Sequence, residues 1–188
     1  STGCYDDATV TVTVNTTLPD VTGIGGAFTK TCTSNTSGGA IGETAETGHS
    51  YSWSSSPSGF SSTSANPTVN PSETTVYTVR KTNTSTGCYD DATVTVTVNT
   101  DAPSFTVCIV QPSLCDGNSG GVTFNASGGT GLKYSIDNGA NYEESATFSN
   151  LASGSVSGFS VKGSNGCATT FDCDKVVISC PKNLVDRS

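Results

Sequence analysis

The chain has 188 residues and a formal net charge of −8, and it contains 31 Thr, 28 Ser and only 13% charged residues. An acidic chain without a basic stripe cannot replace the counterions of nucleic acid, so we expect no nucleic-acid partner. No apolar run approaches the roughly 18 residues of a membrane helix, so we also expect no membrane insertion.

The first predicted element is a strand that the sequence contains twice. Residues 1–16, STGCYDDATVTVTVNT, return unchanged at residues 85–100. Strict alternation of Val and Thr predicts a half-buried strand with Val94, Val96 and Val98 on its apolar face. An identical segment at a fixed spacing is typical of a tandem array. We therefore expect residues 1–16 to be the closing strand of a preceding repeat, either donated to a neighbouring subunit or frayed.

A first module is predicted over residues 17–100. YSW at 51–53 lies on one predicted strand and TTVYTVRKT at 74–82 is another, while the turn-rich residues 83–90 separate the latter from the strand at 92–99. Because turn residues between two β-rich runs favour a hairpin, these strands should close a β-sandwich. Thr and Val suit pleated sheets, and no helical periodicity is present, so the predicted fold class is all-β.

A second module is predicted over residues 101–188, after the short linker 98–104. Each module opens with a cysteine, a polar turn, Gly-Gly and a strand, and each closes with a strand, a glycine and a cysteine. The two cysteine spacings are similar, at 56 and 52 residues. This frame predicts two disulfides, Cys32–Cys88 and Cys115–Cys167.

The remaining cysteines are harder to assign. Cys108 lies on the predicted strand FTVCIV, and its partner should be Cys173 or Cys180, with Cys173 preferred. The partner of Cys180 stays open, and Cys4 is the twin of Cys88. Eight cysteines without a CxxC pair favour disulfides in an oxidising compartment, so we expect an extracellular or cell-surface location.

The chain also resembles known repeat families. HSYSWSSSPSGFSSTSANPTVNPSETTVYTV, followed by Gly-Cys and TVTVTVN, is similar to the PKD/Ig-like repeats of large Bacteroidetes surface proteins. The second half, with GGTG, YSIDNG, NLASG and SNGC, resembles the SprB-type repeats of gliding-motility adhesins. The resemblance implies tandem Ig-like or PKD-like β-sandwich modules that serve as stalks and adhesion modules. It also implies that Trp53 is a core residue, as is Tyr77, with ligand stacking as the alternative for Trp53.

Few residues suggest chemistry. The adjacent Asp90 and Asp91 are candidates for structural Ca²⁺, with solvated turn acids as the alternative, and we expect no other cofactor. His49 is the single histidine, and no nucleophile elbow or metal-binding motif accompanies it. We therefore expect no catalytic residues and no enzymatic activity.

Two functions remain after these exclusions. The first is a structural repeat region of an extracellular adhesin or surface filament, whose partners are neighbouring repeats of the same protein or like subunits. The second is a carbohydrate-binding module of a secreted protein, which binds surface polysaccharide through exposed aromatic residues. Tyr89 and Tyr142 are the candidate glycan contacts.

Overall fold

The computed structural model describes residues 2–110, 120–152 and 155–172. Their regular structure consists of thirteen strands and no helix, which confirms the all-β fold class. None of these residues forms a helix long and apolar enough to cross a membrane. The described residues form two compact units. The first holds the residues up to Phe28 together with Gly38–Val96, and the second holds Thr29–Ser37 together with the described residues from Thr97 onward.

The first seven strands form a five-stranded sheet, in the order β1-β7-β6-β3-β4, and the two-stranded sheet β2-β5. Their bounds are β1 Phe28–Lys30, β2 Gly39–Ala40, β3 His49–Ser56, β4 Ser61–Ser62, β5 Thr68–Val69, β6 Thr75–Asn83 and β7 Tyr89–Val98. The predicted hairpin is confirmed, since β6 and β7 pair antiparallel with Thr75 opposite Val96 and Arg80 opposite Asp91.

The core of the first unit follows from the alternation of these strands. On β7, Val94 and Val96 are buried and Val98 is half-buried, whereas the threonines between them are exposed. Trp53 and Tyr77 lie in the same core, and the indole N–H of Trp53 donates to the Ser64 carbonyl at 2.9 Å. Ile41 and Val69, from the region of the two-stranded sheet, complete the cluster. An apolar core between two sheets fits a β-sandwich.

The last six strands form two three-stranded sheets, in the orders β11-β9-β8 and β10-β12-β13. Their bounds are β8 Ser104–Val110, β9 Gly120–Ser127, β10 Lys133–Ser135, β11 Thr147–Leu151, β12 Gly158–Lys162 and β13 Ala168–Asp172. β8 confirms the strand predicted at FTVCIV. The core joins the two sheets, because Phe124 of β9 packs edge-on against Phe159 of β12 with ring centroids 5.7 Å apart.

The first copy of the repeated segment differs from the second. Residues 2–16 form no strand in this structure, and Val10, Val12 and Val14 are 87%, 79% and 75% exposed. The same letters at residues 93–98 lie in β7, between β1 and β6. A strand needs partners on its edges and against its apolar face, and only the second copy has them here.

Candidate functional site

The disulfide within the described residues joins Cys32 to Cys167, which are 135 positions apart. The predicted bonds Cys32–Cys88 and Cys115–Cys167 are therefore wrong, and Cys4 and Cys88 are free thiols. The physical reason is that the loop carrying Cys32, residues 29–37, belongs to the second unit, where Thr33 lies against Gly166.

The other predicted cysteine pairing stays a prediction. Cys108 lies on β8 with its backbone opposite Thr123. Cys115, Cys173 and Cys180 lie outside the described residues.

The side chain of Asn165 binds the main chain next to the disulfide through hydrogen bonds. The side-chain amide of Asn165 donates to Asn99 Oδ1 and to the Asp101 carbonyl, both at 2.9 Å, and Asn165 Oδ1 accepts from the backbone N–H of Cys167 at 3.1 Å. Cys32 Sγ lies 3.8 Å from the carbonyl oxygen of Thr100. Both ends of a nearly buried amide are thereby satisfied, and residues 99–101 are fixed next to the sulfur atoms.

A buried lysine forms a polar cluster in the first unit. Lys81 is only 1% exposed, and its ammonium group contacts Glu43 Oε1 and Glu46 Oε2, each at 2.7 Å. Its third proton goes to the backbone carbonyl of Asp20 at 2.8 Å. The hydroxyl of Tyr51 donates to Glu43 Oε1 at 2.8 Å. The cluster thus ties two loop segments to β6 and β3 and leaves no donor of the ammonium unused.

The protonation of this cluster follows from its contacts. Burial acts to lower the pKa of Lys81, but the hydrogen bonds to Glu43 and Glu46 outweigh it and raise the pKa to about 12. The hydrogen bond from Lys81 lowers the pKa of Glu46. The ammonium is therefore held in its charged form at neutral pH, which suits an internal tie between strands and loops.

Sequence reasoning missed Lys81, although a signal was present. In VYTVRKT the period-2 alternation gives Lys81 the same parity as Tyr77 and Val79, so it must point toward the core. A lysine on an inward position needs acidic partners, and Glu43 and Glu46 were available in GETAE.

The candidate residues Tyr89, Asp90 and Asp91 lie near the start of β7. Arg80 donates to Asp91 through two nearly parallel bonds, Nε to Oδ1 at 2.9 Å and Nη2 to Oδ2 at 2.8 Å. Its guanidinium carbon lies 3.8 Å from the centroid of the Tyr89 ring. This pairing lowers the pKa of Asp91, and Asp90 Oδ1 accepts the Asp91 backbone N–H at 2.8 Å. Both oxygens of Asp91 are thus engaged by a cation of the chain itself.

Tyr142, the other candidate glycan contact, has a similar environment. Lys162 Nζ lies 4.0 Å from its ring centroid, and its hydroxyl is 2.8 Å from Ser160 Oγ. Each of the two candidate tyrosines therefore presents one ring face to a cation.

Metal-binding and catalytic groups are sparse. Within the described ranges, no three His, Cys, Asp or Glu side chains converge as a metal site would require. His49, on β3, has its Nδ1 atom 3.7 Å from Glu46 Oε1. Trp53 is 2% exposed, so a ligand cannot stack on it unless the core opens.

Comparison with known proteins adds no assignment. Neither a protein-family model nor a curated protein matches the sequence. The resemblance to PKD/Ig-like and SprB-type repeats stays a prediction from the motifs.

Proposed function

We propose that this chain is a structural repeat region of an extracellular adhesin or surface filament and that it is not a catalyst. One observation carries the proposal: the 16-residue segment that occurs twice supplies, in its second copy, the interior strand β7 of a folded unit. A recurring segment used in this way has a structural role, because its valines fill a core and its threonines form the exposed face. Its partners are neighbouring repeats of the same protein or like subunits.

The polar clusters support a structural role. Lys81 holds loops to strands, and Arg80 joins β6 to β7 through Asp91. Each ion pair is satisfied by neighbours within its own unit, so neither offers the free, perturbed group that a catalytic site needs.

The disulfide supports a role under tension. When a pulling force acts across Cys32 and Cys167, the covalent path runs through the sulfur–sulfur bond and bypasses the residues between them. The strands of the first unit after Cys32 then carry no tension along the main chain.

Immunogold labelling tests this proposal. Antibodies raised against the chain should label threads or stalks at regular intervals outside the cells that make the protein. Label confined to the cell interior would contradict it.

The alternative is a carbohydrate-binding module, and the outer face of the β3–β6–β7 sheet favours it. A groove of about 210 Å³ there is lined by Ser52, Ser54, Thr78, Arg80 and Asp91. Tyr89, 49% exposed, packs on the Arg80 side chain. An aromatic ring beside a few polar side chains that can fix the orientation of a ligand is the arrangement common to small-molecule sites.

A glycan array with the full chain distinguishes the two functions. Saturable binding that is lost in Tyr89→Ala and Tyr142→Ala would favour the alternative. Tyr5→Ala is the matched control, since Tyr5 has the same neighbours in sequence and is 93% exposed. The structural proposal predicts no saturable binding by any of these proteins.

A further inference from the structure

The two units share a hairpin turn that ends in Gly-Cys. Between β6 and β7, the backbone N–H of Asn83 donates to the Cys88 carbonyl at 2.8 Å, and Gly87 has a φ of 74°. Between β12 and β13, the N–H of Gly163 donates to the Cys167 carbonyl at 3.0 Å, and Gly166 has a φ of 77°. Positive φ explains the glycine before each cysteine. Cys88 and Cys167 therefore occupy equivalent positions.

In the second unit, a loop covers this turn. Residues 29–37 bring Cys32 into the bond with Cys167 and place Thr33 so close to Gly166 that a Cβ there would be 2.5 Å from the threonine side chain. The loop holds its own shape: Asn35 Nδ2 donates to the Thr29 carbonyl at 2.8 Å, and the N–H of Ser34 donates to Thr31 Oγ1 at 2.9 Å.

In the first unit, no loop of this kind covers the Gly87 end of the equivalent turn within the part of the chain that the structure describes. Cys88 is a free, half-buried thiol, and a Cβ at Gly87 would meet nothing within 4 Å among the described residues. The end of a repeated segment nevertheless lies near a cysteine sulfur in each unit, although different residues of the two copies make the contact. Cys88 Sγ lies 3.7 Å from the carbonyl oxygen of Asn15, and Cys32 Sγ lies 3.8 Å from that of Thr100. Residues 15–16 and 99–100 are the same Asn-Thr in the two copies of the repeat.

We propose that Cys88 forms a disulfide with the cysteine of a second loop of the 29–37 type, supplied by another repeat of the same polypeptide. The inference rests on the proposed function as a repeat region and names the partner of each unit: the cysteine loop of one repeat closes the Gly-Cys turn of the next. Three observations carry it, namely the equivalent turn, the bonded state of Cys167 and the open surface at Gly87.

The bond forms by thiol–disulfide exchange with a small-molecule disulfide such as oxidised glutathione. The loop cysteine attacks the oxidant and releases one reduced glutathione. The Cys88 thiolate then attacks the loop sulfur, the Sγ–Sγ bond forms, and a second reduced glutathione leaves. The two thiol protons pass through solvent to the two released glutathione thiols, which also carry the two electrons.

The test uses the full chain and a synthetic peptide, TKTCTSNTS, with the sequence of residues 29–37. The two are equilibrated in a glutathione redox buffer, and mass spectrometry of the chymotryptic peptides ending at Tyr5 and Tyr89 measures the adducts. Cys4 is the matched control, because it sits in the same STGCYDD sequence but is exposed.

We expect the peptide adduct at Cys88 to exceed that at Cys4 by at least about tenfold, equivalent to about 1.4 kcal/mol. A peptide of scrambled order that keeps its cysteine should show no preference. Equal adducts at the two cysteines, or equal performance of the scrambled peptide, would overturn the inference.

Incubation of the chain without peptide identifies the source of the loop. Because Cys32 is already bonded to Cys167, we expect the peptide adduct at Cys88 and no dimer joined through Cys32 and Cys88. Such a dimer would overturn the assignment of the loop to another repeat, since a second copy would then supply it. Threads labelled by immunogold but no preference at Cys88 would overturn the disulfide link alone and leave the proposed function standing.

Discussion

At the residue scale, the buried ammonium of Lys81 is the polar group on which the first unit depends most. Substitution Lys81→Met keeps the length of the side chain but leaves Glu43, whose side chain is 14% exposed, without its cation. Breaking a buried pair in this way costs about 3–5 kcal/mol, because the remaining charge is desolvated and unpaired. Urea unfolding followed by the fluorescence of Trp53, the single tryptophan, should show this loss.

Lys133→Met is the control for that substitution. Lys133 pairs with Glu144 at 3.5 Å, but their side chains are 48% and 86% exposed, so the change should stay within about 0.5 kcal/mol. Equal effects of the two substitutions would contradict the assignment of Lys81 as a buried tie.

A second residue-scale prediction concerns acid. Hydrogen bonds from the Ser135 hydroxyl and from the backbone and side chain of Asn141 lower the pKa of Asp137 to about 2. Because the folded pKa is depressed, the stabilisation is present above the unfolded value of about 3.9 and is lost as the pH falls through the folded value. Amide protection in the turn at residues 137–141 should therefore fall between about pH 4 and pH 2.

Asp137→Asn should remove this acid dependence, since the amide does not titrate. NMR titration of the carboxyl group gives the direct measurement. A midpoint near the ordinary value of 3.8 would refute the hydrogen-bonded turn.

At the scale of the element, the two copies of TVTVTV have the same strand propensity but different surroundings, so their valines differ in burial. Val96 is 0% exposed in β7, and its counterpart Val12 is 79% exposed. Val96→Thr buries a hydroxyl and should lower the free energy of unfolding by about 1–3 kcal/mol. Val12→Thr makes the same change in the same local sequence and should have an effect within about 0.5 kcal/mol. Urea denaturation of both variants measures the difference, and similar losses would mean that the first copy also packs in a core.

The strands of the first unit could be predicted from the sequence, whereas the pairing of the cysteines could not. The alternation in TVYTVRK and TVTVTV was enough to predict β6, β7 and the face of Val94 and Val96, because strand period is local. The cysteine pairing was not, since spacing alone permits many connectivities and the loop with Cys32 belongs to a unit distant in sequence. Lys81 could have been found from its inward parity, but its partners depend on how the loop at 41–48 folds back.

At the scale of the whole molecule, the Cys32–Cys167 bond is the constraint of longest sequence separation that the described residues contain. It closes a loop of 135 positions, far longer than the loops of 56 and 52 positions expected from the sequence. On the chain-entropy model such a bond stabilises the folded protein by about 5 kcal/mol, comparable with the ~5–15 kcal/mol of a whole domain. Its mechanical consequence is a covalent bypass around the residues between the two cysteines.

The direct test of the structural role is single-molecule extension of the full chain, held at its two ends, in oxidising and then in reducing buffer. The bond withholds 135 positions from extension, so reduction should lengthen the fully stretched chain by roughly 450–490 Å. Cys88→Ser should leave this gain unchanged, since Cys88 takes no part in the bond. The same stretched length in both buffers would contradict the account, because no covalent bypass would then join Cys32 to Cys167 and tension would pass along the whole main chain.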